Sequence, residues 1–166
     1  MKKRVLFLCV GNACRSQMAE GFARAYGSDV IDPCSAGLGP AGAVPEQTIQ
    51  TMQEKNIDLS AAYPKGVDGI EREGLDLIVN LTGNRLPSAI RTPVQDWDVR
   101  DPIGESDKIY RQVRDEIEGR VMRLILALRA ENNGGEGDDP EPGGGLAPAR
   151  EGTRSKFDIL RGRFRQ

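Results

Sequence analysis

The chain has 166 residues, of which 29% are charged and 5% aromatic, and its formal net charge of −2 gives no reason to expect a nucleic acid partner. It contains no histidine, which excludes Ser-His-Asp triads, Cys-His dyads and His-ligated metal sites. Three cysteines are too few for a secreted disulfide scaffold, and the apolar run at residues 5–10 is too short for a signal peptide or a membrane span. We therefore expect a cytoplasmic protein without a membrane span, cofactor or metal.

Short apolar runs alternate with helical patterns along residues 1–132, which we predict to form one domain. Strands are predicted at residues 4–10, 30–35, 75–81 and 94–99, and helices at residues 16–26 and 45–55. A last helix begins after a Ser106 cap, and its apolar face recurs at three- and four-residue spacing: Tyr110, Val113, Ile117, Val121, Leu124 and Leu128. This alternation predicts an α/β fold with a parallel sheet covered by helices on both faces.

The composition changes sharply near residue 132. Residues 133–149 are mostly glycine, proline and acidic residues, and we predict a flexible linker there. Residues 150–166 are basic, with Phe157, Leu160 and Phe164 at helical spacing. We expect this segment to be either a disordered tail or an amphipathic segment that docks on its own domain or on a protein partner.

The loop after the first predicted strand carries a Cys-x5-Arg pattern and reads Cys-Val-Gly-Asn-Ala-Cys-Arg-Ser from Cys9. A loop of this length can direct its backbone N–H groups at one centre, and the helix that follows adds its positive end. Gly11 lets the backbone pass close to an anion. Arg15 can hold two oxygens of a tetrahedral oxyanion with its planar guanidinium. The pattern therefore predicts an oxyanion site.

Cys9 lies in the same positive field, which favours its thiolate. Ser16 can donate a hydrogen bond to that thiolate, and Asn12 can brace the loop from within. A thiolate that faces a bound phosphate is a nucleophile aimed at phosphorus, and the leaving oxygen then needs a proton. Because no histidine exists to supply it, we expect a carboxylic acid to do so, with Asp101 as the first candidate.

The segment from Val5 to Gly21, VLFLCVGNACRSQMAEG, closely resembles the opening of the low-molecular-weight protein tyrosine phosphatase superfamily, which includes arsenate reductases of the same fold. The resemblance continues through residues 35–37, 56–60 and 75–78 to Trp97 and Asp101-Pro102, so that it covers roughly residues 4–132. It implies a three-layer fold around a four-stranded parallel sheet with helices on both faces.

The resemblance also implies roles for individual residues. Cys9 corresponds to the nucleophile, Arg15 to the oxyanion clamp, Ser16 to the thiolate stabiliser and Asp101 to the general acid. The remaining residues that we expect to bind the oxyanion or support the loop are Val10, Gly11, Asn12, Ala13, Cys14 and Ser35. A phospho-cysteine would form and water would then hydrolyse it.

Phosphatases and arsenate reductases of this superfamily share the loop, and the chain has features of both. Gln17 stands where phosphatases usually have proline, and Ile103 stands where phosphotyrosine enzymes tend to have an aromatic residue; both features resemble the reductases. Thioredoxin-coupled reductases, however, carry two further cysteines after the third strand, and alignment places these at about Thr82 and Leu86, which have no thiol.

From the sequence we therefore favour a cysteine-dependent phosphomonoester hydrolase. The alternative is an arsenate reductase that uses an external thiol reductant or Cys14, and a third hypothesis is a module that binds an oxyanion without turnover. The partners are accordingly a phosphorylated substrate or arsenate. Cys14 either traps an oxidised Cys9 as a disulfide or packs beneath the loop, and we predict Cys34 to be a core residue.

Overall fold

Four parallel strands form the centre of the computed structural model, which describes residues 1–71 and 73–134. The strands are β1 (Lys3–Cys9), β2 (Ile31–Gly37), β3 (Leu77–Asn80) and β4 (Val94–Asp96), and they lie in the order β2-β1-β3-β4. The helices are α1 (Arg15–Tyr26), α2 (Glu46–Gln53) and α3 (Asp107–Asn133), with a 3₁₀ turn at Val67–Gly69. The predicted four-stranded parallel α/β fold is confirmed.

Both faces of the central strand β1 are covered by other parts of the chain. Residues 5–9 therefore form a continuous buried apolar run and do not alternate with polar residues. Its last residue, Cys9, pairs with Gly37 of β2, and Leu8 pairs with Asn80 of β3. From β1 the chain runs first to β2, on one side of β1, and later to β3, on the other side. In open α/β sheets this change of direction opens a crevice at the carboxyl ends of the strands, and here the crevice lies beyond Cys9.

The two faces of the sheet are covered differently. Helix α1 packs against β1 and α3, and it occupies one face. On the opposite face lies an apolar cluster of Leu6, Leu8, Ala36 and Ile78, with which partly buried side chains from the 3₁₀ turn and from the segment after β3 are packed: Val67, Ile70, Leu86 and Ile90.

Helix α3 closes the domain and matches its prediction closely. The Ser106 side chain accepts a hydrogen bond from the Ile109 N–H and caps the helix. All six residues of the predicted apolar face are buried. The helix includes Asn133, which we had assigned to the linker; the linker beyond residue 134 and the basic segment 150–166 lie outside the described residues.

The strands predicted at residues 75–81 and 94–99 are both longer than those observed. Strand β4 ends at Asp96, and the Trp97 N–H then bonds to the Asn80 carbonyl at 2.8 Å. The chain next turns the Val99 carbonyl toward Arg15, which ends the regular ladder. No helix in the described part of the chain has both the length and the apolar character needed to cross a bilayer.

Candidate active site

The loop at residues 9–15 takes its shape from the segment that follows β2. The N–H groups of Leu38, Gly39 and Ala41 donate to the carbonyl oxygens of Cys9, Val10 and Gly11 at 3.1, 2.9 and 2.9 Å. In a trans peptide the N–H points opposite to the carbonyl. These bonds therefore turn the N–H groups of residues 10–12 toward the inside of the loop, where they form a nest suited to an anion.

Gly37 allows the loop and the end of β2 to approach each other. A Cβ at this position would lie 2.7 Å from the Val10 carbonyl oxygen and 2.8 Å from the Asn12 nitrogen, which is too close for any side chain. At Gly11 a Cβ would make only ordinary contacts, the nearest at 3.7 Å. The sequence motif predicts Gly11 as a loop residue but gives no signal for Gly37, because the close approach at Gly37 arises from strand pairing.

Asn12 is the central brace of the loop. It is fully buried, and its φ of 50° lies in the left-handed region that asparagine tolerates better than most residues. Its Nδ2 donates to the hydroxyls of Ser16 and Ser35 at 2.9 and 3.0 Å. Its Oδ1 accepts from the Lys65 backbone N–H at 2.8 Å and from Gln17 Nε2 at 3.0 Å. The amide therefore uses both of its donors and accepts two hydrogen bonds.

The Cys9 sulfur lies at the floor of this loop and is buried. The Asn12 N–H donates to it at 3.2 Å, and Ser16 Oγ lies 2.8 Å away. The Ser16 hydroxyl accepts a hydrogen bond from Asn12, and when Cys9 is a thiolate the sulfur can only accept, so the hydroxyl then donates to it. Two donors face the sulfur in that state, an arrangement that stabilises negative charge there.

Arg15 is buried, and backbone carbonyls determine its orientation. Its Nη1 donates to the Leu81 and Val99 carbonyl oxygens at 2.8 and 3.1 Å, which uses both hydrogens of that nitrogen. Nη2 lies 3.4 Å from Asp101 Oδ2. The edge formed by Nε and Nη2 is the one that can hold two oxygens of a tetrahedral anion.

Asp101 occupies the rim of the site. Its Oδ1 accepts a hydrogen bond from the Ile103 N–H at 3.1 Å, and its side chain is about half exposed. The structure thus places this carboxylate beside Arg15, as expected from its position after the fourth strand. Ile103, the residue after Pro102, is 51% exposed and presents an aliphatic side chain rather than a ring.

Cys14 faces away from the loop floor. Its sulfur lies 2.8 Å from Thr48 Oγ1 of α2 and 3.4 Å from the Tyr110 hydroxyl of α3. Burial raises the pKa of the Cys14 thiol, and the hydrogen bond with Thr48 offsets only part of that effect. Cys34, predicted as core, is partly buried and packs with the apolar cluster of the second sheet face.

Several residues that support the loop escaped sequence reasoning. Ser35 donates a short hydrogen bond to the Glu20 carboxylate, which also pairs with Arg24 at 2.8 Å and lies 4.0 Å from Lys65 Nζ. A local signal existed for Glu20, because it lies one helical turn after Ser16 on the same face of α1. The contributions of Lys65, Thr48 and Tyr110 come from distant elements and leave no local pattern.

The family model described as low molecular weight phosphotyrosine protein phosphatase matches residues 4–133. The chain belongs to this family. The family resemblance noted from the loop motif is thereby confirmed.

Among curated members of the family, the chain is 35% identical over 130 residues to a glutaredoxin arsenate reductase from Synechocystis, covering 76% of this chain and 98% of that protein. It is 35% identical over 126 residues to arsenate reductase 1 from Bacillus cereus, covering 74% and 93%. A solved arsenate reductase in the phosphate-binding state superimposes with a TM-score of 0.70 at 33% identity, covering 76% and 98%. An arginine phosphatase from Geobacillus stearothermophilus gives a TM-score of 0.69 at 25% identity, covering 82% and 99%.

Proposed function

We propose that this protein is an arsenate reductase that draws its electrons from an external thiol. The observation that carries the proposal is that the curated relatives matched over nearly their whole length are named arsenate reductases. The aliphatic Ile103 beside the site supports it, because an aryl phosphate would gain no ring contact there. This preference reverses the one drawn from the sequence, which favoured hydrolysis.

The first step is attack by the Cys9 thiolate on arsenic. Arg15 holds two oxygens of arsenate through its Nε–Nη2 edge, and the inward N–H groups of residues 10–12 face the anion. A bond forms between the Cys9 sulfur and As(V), and one arsenic–oxygen bond breaks. The leaving oxygen departs as water after it receives a proton from Asp101.

The second step transfers two electrons to arsenic. An external thiol attacks the Cys9 sulfur, the sulfur–arsenic bond breaks, and its electron pair stays on arsenic, which leaves as arsenite. A second thiol then attacks the mixed disulfide and releases Cys9 as the thiolate. The balance is one arsenate and two thiols converted to one arsenite, one disulfide and one water.

The surroundings of Cys14 favour an external thiol over an internal one. A resolving cysteine attacks as its thiolate, and burial raises the pKa of Cys14, although its hydrogen bonds with Thr48 and Tyr110 offset part of that effect. At the position aligned with the first resolving cysteine of other reductases stands Thr82, whose hydroxyl donates to Asn80 Oδ1 at 2.7 Å. Neither residue is suited to resolve an adduct on Cys9.

Phosphomonoester hydrolysis is the second candidate. The observation that favours it is the Asp101 carboxylate beside Arg15, which is placed to protonate a leaving alcohol or amine. The likeness to an arginine phosphatase points the same way. In this reaction a phospho-cysteine forms on Cys9, and water hydrolyses it without a thiol.

A single side-by-side assay separates the two candidates. The full chain is given arsenate with glutathione alone, glutathione with glutaredoxin, or reduced thioredoxin, and arsenite and disulfide are measured; parallel samples receive an aryl phosphate or a phosphoarginine peptide. We expect arsenite and disulfide in equal amounts with at least one external thiol, and the Cys14→Ser variant should retain this activity. Phosphate release without arsenite formation would instead establish the hydrolase, and loss of arsenite formation in Cys14→Ser would make Cys14 the resolving residue.

A further inference from the structure

The turn after β3, residues 80–84, is closed by side chains rather than by the sheet. Asn80 Nδ2 donates to the Asn84 carbonyl at 2.8 Å and to Asp96 Oδ1 at 2.7 Å. Asn80 Oδ1 accepts from the Thr82 hydroxyl at 2.7 Å and from the Thr82 N–H at 3.1 Å. The Asn84 N–H donates back to Thr82 Oγ1 at 3.0 Å. Asn80 and Thr82 are buried, so these bonds are sheltered from competing water.

Leu81 stands inside this 80–84 turn and links it to the oxyanion site. Its N–H donates to the Leu8 carbonyl of β1 at 2.7 Å, and its carbonyl accepts from Arg15 Nη1 at 2.8 Å. Because its neighbours on both sides are held by side-chain hydrogen bonds, the direction of the Leu81 carbonyl is fixed. Together with the Val99 carbonyl, it determines the plane of the guanidinium.

We propose that Asn80 and Thr82 are positioning residues of the oxyanion site. Through the Leu81 carbonyl they orient the Nε–Nη2 edge of Arg15 toward the loop. Their own side-chain hydrogen bonds go to each other, to Asn84 and to Asp96. The inference rests on the proposed role of Arg15 as the oxyanion clamp. It gives Thr82 a role that requires a hydroxyl, at a position where the resemblance to thioredoxin-coupled reductases would place a cysteine.

The hydroxyl of Thr82 can be removed almost without a change of shape. Thr82→Val leaves Asn80 Oδ1 and the Asn84 N–H without this partner, whereas Thr82→Ser keeps the hydroxyl and serves as the matched control. Since a hydrogen bond of this kind is worth about tenfold in an equilibrium constant, we expect Thr82→Val to weaken phosphate binding about tenfold. Thr82→Ser should stay within about twofold of the wild type.

Calorimetric titration of the reduced full chain with inorganic phosphate tests the proposal, because phosphate binding is common to both candidate functions. Thermal unfolding is recorded for every variant, and Asp96→Ala serves as a second variant at an exposed position that removes one anchor of Asn80. We expect it to weaken phosphate binding about threefold. Arg85→Gln, at an exposed position directly after this turn, should leave phosphate binding unchanged.

Four results would overturn the proposal. Folded Thr82→Val that binds phosphate as the wild type does would show that the hydroxyl is not needed. Equal weakening in Thr82→Val and Thr82→Ser would show that the hydroxyl is not what binding depends on, because Thr82→Ser retains it. If Thr82→Val does not fold, unchanged binding in Asp96→Ala would count against the proposal in the same way. A wild-type chain that does not bind phosphate would refute the proposed function as well, whereas normal binding by the wild type with no effect of the variants would refute this inference alone.

Discussion

Cys9 and Cys14 belong to one loop, yet the structure gives their sulfurs opposite surroundings. The Cys9 sulfur faces the Asn12 N–H and the Ser16 hydroxyl, which in turn accepts a hydrogen bond from Asn12 Nδ2. The Cys14 sulfur faces hydroxyls from two different helices, in a buried seam between α1, α2 and α3. Both residues are 3% exposed, so exposure does not distinguish them. The difference lies in what points at each sulfur.

If Cys9 is the nucleophile that we propose, one short segment holds a reactive thiol beside a second thiol in unlike surroundings. On the loop floor, each donor is fixed by a further hydrogen bond, so the donors need not reorient when negative charge forms on the sulfur. In the helix seam, burial raises the pKa values of both Cys14 and Tyr110, and the two groups favour their neutral forms together. Substitutions at either end of the loop should therefore have very unequal effects.

The largest difference is expected between Cys9→Ser and Cys14→Ser. Serine at residue 9 cannot supply a thiolate, and turnover of arsenate or of a phosphoester should fall by at least about 10⁴-fold. Cys14→Ser should stay within about threefold, because a hydroxyl can keep the contacts with Thr48 and Tyr110. Initial rates of arsenite and phosphate formation measure both. Comparable losses in the two variants would contradict the division of tasks between the sulfurs.

Arg15→Lys should lower kcat/KM about 100-fold. An ammonium group is a point charge, so it cannot satisfy the Leu81 and Val99 carbonyls while presenting two aligned donors to an oxyanion. Steady-state kinetics at several oxyanion concentrations, together with the phosphate dissociation constant, measure the effect. A change of less than threefold would mean that charge alone suffices at the loop mouth.

Stability should depend more on the brace beneath Cys9 than on the partner of Cys14. Asn12→Ala removes one hydrogen-bond partner each from two buried hydroxyls, the Lys65 backbone N–H and Gln17, and it places alanine at a positive φ. We expect the free energy of unfolding to fall by about 3 kcal/mol, against about 1 kcal/mol for Thr48→Val. Urea unfolding followed by circular dichroism compares them, and the reverse order would be inconsistent with the network described.

The smallest effect concerns pH. Because burial raises the pKa of Cys14, the unfolded chain loses this proton at a lower pH than the folded chain does. The unfolded state then binds fewer protons, so the free energy of unfolding falls as the pH rises through about 9 and beyond. Thermal midpoints between pH 7 and 10.5 should decline less steeply in Cys14→Ser than in the wild type. Identical slopes would show that the Cys14 thiol titrates normally.

The sequence was most informative where chemistry and local pattern coincide. The apolar face of α3, the strand before the loop and the residues of the Cys-x5-Arg motif could all be predicted, because their signals are periodic or contiguous. Asp101 was predicted from its place after a strand and from the family resemblance, and its contact with Arg15 depends on how the fourth strand ends.

The rest of the site depends on register, which no local pattern encodes. Gly37 is required because β2 pairs with β1 up to Cys9, and Lys65 reaches Asn12 through its backbone N–H, for which side-chain identity is no guide. The sequence of residues 80–84 likewise predicts an ordinary polar loop, and only the structure shows that the Leu81 carbonyl accepts a hydrogen bond from Arg15. At Thr82, the sequence comparison drew attention only to the absence of a thiol, and nothing in it indicated a role for the hydroxyl.

The three hydrogen bonds from residues 38–41 to the carbonyls of residues 9–11 have a consequence for ligand recognition. They join the loop at residues 9–15 to the segment that follows β2. The packing of that segment therefore shapes the loop before any anion binds. An oxyanion that binds as we propose would therefore meet donors that are already aligned, and little ordering entropy would oppose its binding. Substitutions at residues 38–41 should therefore change the affinity of the loop for an anion.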